Sequence, residues 1–99
     1  MEKEKVLPVG TVVMLKGGKK KVMITGFYIV EKNKKDKIWD YSGCFFPEGI
    51  ISAKKIFLFD HSQIEKIYHK GLIDDEEIEF KKRLEKVLKE NKKNEENKN

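Results

Sequence analysis

Four of the ten aromatic residues in this 99-residue chain, Trp39, Tyr41, Phe45 and Phe46, fall within eight positions. Gly43, Pro47 and Gly49 are threaded among them. Aromatic side chains carry the largest apolar surface a core can receive. Glycine and proline at this density favour turns over helix. The segment from Trp39 to Ile50 therefore either closes a small β core or presents a sticky surface. We expect Trp39 or Tyr41 to be partly exposed and the other aromatics to lie mostly inside.

The rest of the chain offers few alternatives for a core. Charged residues make up 39% of it and hydrophobic ones 38%, so a minority of positions must build one small domain. Cys44 is the only cysteine, which excludes a disulfide framework and suits a reducing compartment. With only His61 and His69 besides, the Cys/His cluster of a structural zinc site is missing. The opening Met1–Lys5 is polar, and the apolar runs after it are too short to span a bilayer or form a signal core. The expectation is a soluble, cytoplasmic protein with no membrane insertion.

Charge is uneven. Residues 1–37 hold ten Lys against four acids, whereas residues 61–99 balance ten basic residues with ten acidic ones. The excess lies at two loop or hairpin tips, Lys19-Lys20-Lys21 and Lys32 to Lys37. A nucleic-acid interface at Lys19, Lys20, Lys21, Lys34 and Lys35 is the alternative reading. Solvated turns are preferred, because these tips lack arginine and its forked donors. The aromatic segment contains Asp40 and Glu48 but no Lys, which turns it away from phosphates.

Short apolar runs alternate with turn signals. Thr11–Leu15 reads as a strand ending at Gly17-Gly18, whose freedom at positive φ suits a tight hairpin. A second strand rises from Lys20 and continues past a bend or bulge at Gly26 to Val30. A polar turn from Glu31 to Lys37 follows. The third strand runs from Ile38 towards Cys44, with a turn at Pro47 and Gly49, and the fourth spans Lys55–Phe59. Asp60, with Gln63 three residues on, predicts a capped helical turn.

Residues 65–70 fit either a fifth strand or a continuation of that helix. The strand is preferred because a lone two-turn helix is marginal and the fourth strand needs a partner. Acids at Asp74–Glu77, bases at Lys81–Arg83 and the spacing of Ile73, Phe80, Leu84, Val87 and Leu88 predict an amphipathic helix over 75–89. Residues 91–99 hold only Asn, Lys and Glu and read as a disordered polar tail. The pattern is mainly β with α: one domain over 6–90, a five-stranded, SH3-like, partly open barrel with a C-terminal helix. The aromatic segment would cover one end. An α+β sheet with helices on one face is the competing arrangement.

No catalytic, cofactor or metal motif emerges. His61 beside Asp60 reads as a surface histidine at a cap, and Cys44 as a small core residue rather than a reactive thiol. Gly17-Gly18-Lys19-Lys20 lacks the spacing of a phosphate loop and lies between strands. Asp74–Glu77 lacks the alternate ligand spacing and central Gly of a calcium loop.

The string Tyr41-Ser42-Gly43-Cys44 with Phe46-Pro47-Glu48-Gly49 is the most specific in the chain. Together with Leu7-Pro8-Val9-Gly10-Thr11, Lys21–Ile24 and Phe59-Asp60-His61 through Gly71, it resembles the family called domain of unknown function 4176, over roughly residues 6–80. Ser42 departs from the aliphatic residue common there. The resemblance implies a setting in Gram-positive bacteria, beside type VII secretion genes and large secreted toxins with helical targeting domains. It implies a non-enzymatic cytosolic chaperone or targeting accessory whose partner is such a toxin or its helical domain, or else an immunity factor. Trp39, Tyr41, Phe45, Phe46 and Glu48 are the candidate partner-binding residues.

Overall fold

The β-branched runs form strands as their composition dictates. In the computed structural model, which describes residues 6–31 and 34–96, these are β1 (Val12–Leu15), β2 (Val22–Glu31) and β3 (Lys34–Phe45). β4 (Phe57–Phe59) and β5 (Ile64–His69) follow, and then helix α1 (Asp75–Glu96). All strand pairings are antiparallel, in the order β4-β3-β2-β1-β5. The result is one partly open five-stranded sheet with a C-terminal helix. This order, with a 3₁₀ turn at His61–Gln63 between β4 and β5, is compatible with an SH3-like arrangement.

Local chemistry accounts for the joints. Gly17 takes φ +78° in the β1–β2 turn, where Gly18 N–H donates to Leu15 O at 2.9 Å. At Gly26 the β2–β3 register slips from Ile24↔Gly43 to Gly26↔Ser42, a bulge at the expected residue. Asp60 N–H donates to Gln63 Oε1 at 2.9 Å, one arm of the predicted capping box.

Several boundaries differ from expectation. β2 and β3 extend further towards each other, so that Glu31 pairs with Lys34 where a longer polar turn was expected. A 3₁₀ turn at Ala53–Lys55 takes the start of the expected fourth strand. β5 is a strand, but its partner is β1; β4 pairs with β3 instead. The helix continues past Lys89 to Glu96, into the expected polar tail, because Lys and Glu sustain a helix once it is nucleated. Residues 97–99 lie outside the described residues.

The core gathers Val13, Val22, Ile24, Tyr41 and Phe59 from the sheet with Val6 and Leu7 from the segment before it. Gly43 lets β3 cross this core: a β-carbon there would sit 2.8 Å from Val22 Cγ1 and 2.9 Å from Phe59 Cε1. The aromatic segment does not form an end cap. Most of it is β3, a central strand, and only Phe46 to Gly49 turn the chain, with Gly49 N–H donating to Phe45 O at 2.9 Å.

Helix α1 starts where Asp74 Oδ1 accepts from Glu77 N–H at 3.0 Å. It is tied to the body by the buried Lys81, whose Nζ donates to Val6 O at 2.8 Å and pairs with the Glu77 carboxylate. The same ammonium lies 4.6 Å from the centre of the Phe27 ring, and Phe80 packs against that ring at 6.0 Å.

Candidate interaction surface

The five aromatic-segment candidates separate. Tyr41 is fully buried, which corrects its assignment to a partner surface. Its hydroxyl lies 3.0 Å from Leu7 N, accepting that N–H, and 2.7 Å from His61 Nδ1. Its position in β3, facing the core, overrides the polarity of its tip. Trp39 is half-buried on the outer stretch of the β2–β3 hairpin. Its Nε1–H donates to Glu31 Oε1 at 3.1 Å, and Lys37 Nζ lies 4.6 Å from its ring centre. Phe45 is half-buried against Phe57, with ring centres 4.5 Å apart.

Phe46, expected mostly inside, is 39% exposed, because the turn at Pro47 carries it off the sheet. Glu48 is exposed and bridged to Lys20 at 3.0 Å. The hydrogen bond from Lys20 holds the Glu48 carboxyl below its ordinary value.

The basic candidates also separate. Lys20 is committed to Glu48 and donates to Phe46 O at 2.9 Å. Lys21 Nζ sits 5.0 Å from the Tyr68 ring centre. Lys19 is exposed, and the side chains of Lys34 and Lys35 lie outside the described residues. The two proposed tips thus do not merge into one described basic surface.

The residues around His61 form a structural network. Asp60 Oδ2 takes Lys37 Nζ at 2.6 Å, and Asp60 Oδ1 accepts Asp40 N–H at 3.1 Å. Asp40 Oδ2 accepts His61 N–H at 2.9 Å. These bonds clamp the 3₁₀ turn to β3, and the Tyr41 hydroxyl holds the His61 ring. His61 is therefore half-buried and anchored, where a surface position was expected. Cys44 is buried, as expected, and burial pushes its thiol pKa up, which disfavours the reactive thiolate. Among the described residues no group of three or more His, Cys, Asp or Glu could hold a metal ion. No described helix is long and apolar enough to cross a membrane.

What the surface does carry is apolar. Among the described residues, nine hydrophobic side chains are buried, whereas fourteen large ones are exposed. Two groups are continuous with structure. On α1, Phe80, Leu84, Val87 and Leu88 form one stripe by helical spacing. Leu84 and Leu88 are half-buried, while Phe80 and Val87 stay 47% and 52% exposed. Phe80 and Lys81 both meet the Phe27 ring, so the helix passes over β2. Burial, and after it the Asp40 and Glu85 charges, raise the Tyr28 pKa. The second group is Ile67 and Tyr68 on β5, at the edge of the sheet. Sequence reasoning located the helical stripe as one face of an amphipathic helix. It passed over Tyr68 as a surface residue, whose signal was an aromatic between Lys66 and Lys70.

Fold and surface together define a small antiparallel β domain with a half-covered amphipathic helix. Residues 6–80 match the protein-family model described as domain of unknown function (DUF4176), and the chain belongs to that family. No curated protein and no solved structure matches the chain.

Proposed function

We propose that this protein is a non-enzymatic interaction module, a cytosolic chaperone or targeting accessory for a type VII secreted toxin. The observation that carries this reading is the apolar stripe of α1, half-buried along Leu84 and Leu88 and open along Phe80 and Val87. Exposed apolar area on such a stripe fits the apolar face of a partner helix, the recognition mode of an amphipathic helix laid into a groove. Toxins of this class carry helical targeting domains, which the family resemblance brings forward as partners.

Co-expression with the toxin encoded beside it tests the proposal. A stable co-purifying complex that forms through the toxin's helical half supports the chaperone role. Binding only to the C-terminal toxin half favours an immunity role, and binding to neither half overturns both.

A further inference from the structure

β5 is the last strand of the sheet. One side pairs with β1, and the other, among the described residues, is the sheet edge. Glu65 to His69 are exposed. The two faces of this strand differ. Ile67 pairs with the fully buried Val13 and extends the core outward, yet is itself 46% exposed. Tyr68 is the extra residue where the register steps from Val13↔Ile67 to Val12↔His69, and its ring lies with Lys66 and Lys21 rather than with Ile67.

Two ammonium groups converge on Tyr68: Lys66 Nζ lies 4.8 Å and Lys21 Nζ 5.0 Å from its ring centre. The geometry reaches across β1, since Met14 pairs with Lys66, and Val13 with Val22, the residue after Lys21. Neither lysine has a carboxylate partner among the described residues. Like charges held against one ring repel, and an incoming carboxylate would relieve that repulsion.

We propose that the free edge of β5 docks an extended acidic peptide segment of a partner protein, added to the sheet as a further strand. Its alternate acidic side chains meet Lys21, Lys66 and Tyr68, and the intervening apolar ones meet Ile67. Backbone bonds to an open edge supply affinity in this mode, and the alternating side chains supply selectivity. A second copy is the poorer occupant. Lysines on an edge strand act against like-with-like pairing, and two β5 edges would bring Lys66 and Lys70 of both copies together. This surface is separate from the α1 stripe, so the two proposals stand or fall independently.

Titrating the ¹⁵N-labelled full chain with a capped heptapeptide of alternating Glu and Val tests the idea. Amide shifts and slowed hydrogen exchange are expected across residues 65–70, with about ten-fold weaker binding for Lys66→Glu. The double variant Lys21→Glu/Lys66→Glu should instead prefer the matching Lys–Val peptide, a swap that loss of folding could not produce. Equal binding of both peptides to the native chain, or shifts confined to other elements, would overturn the proposal. So would binding of oligo-dT at Tyr68 without peptide binding, or peptide-free, concentration-dependent shifts that assign the edge to a second copy.

Discussion

The Tyr41 hydroxyl and His61 Nδ1 stand 2.7 Å apart, joining the middle of β3 to the turn that leads into β5. Because the same hydroxyl accepts Leu7 N–H at 3.0 Å, its own proton is free to be donated to His61 Nδ1. One buried oxygen thus fastens the leading segment, the central strand and the 3₁₀ turn.

Tyr41→Phe keeps the ring in the core but removes this oxygen. The buried Leu7 N–H then loses its acceptor, which costs about 1–3 kcal/mol. Urea unfolding should show a lower midpoint with an unchanged slope.

Gly71→Ala tests the closure between the β5–α1 connection and the leading segment. A β-carbon there would sit 2.2 Å from Val9 O, while Gly71 N–H donates to Thr11 Oγ1 at 3.0 Å. Backbone must shift to accommodate the methyl, at about 1–3 kcal/mol. Thermal unfolding should register the loss, and Gly17→Ala, at a position with open space but positive φ, should show only the cost of backbone strain.

Glu48 should titrate below the ordinary glutamate range, because Lys20 hydrogen-bonds its carboxylate. A folded-state pKa depressed in this way contributes stability that is present above the unfolded value and is lost as pH falls through the folded one. Carboxyl-detected NMR titration should show Lys20→Ala returning Glu48 upward. The exposed position keeps the effect on global unfolding small.

Much of this architecture was legible in the sequence. Period-two runs, Gly17, the Gly26 bulge and the Asp60/Gln63 cap located the strands and turns, because these signals are local. Strand partners were not legible. The fifth strand was predicted on the ground that the fourth needed a partner, yet β5 pairs with β1, a choice set by long-range packing. Tyr41 misled for a similar reason. Its chemistry suits an interface, and only the central place of β3 and the nearness of Leu7 and His61 bury it. The role of Val6 and Leu7 in the core, and of Lys81 in holding Val6 O, likewise depends on contacts between distant parts of the chain.

The open half of the α1 stripe is the central functional claim, and Val87 is its most accessible apolar member within the helix. Val87→Glu should leave the thermal midpoint close to native, since the side chain is already half in water. Affinity for the helical half of the proposed toxin partner, measured by calorimetry on native and Val87→Glu protein, tests the claim most directly. The account predicts a complex with the native chain and at least about ten-fold weaker binding for the variant, the scale of one lost apolar contact. Undiminished binding by Val87→Glu, or no binding by the native chain, would contradict it.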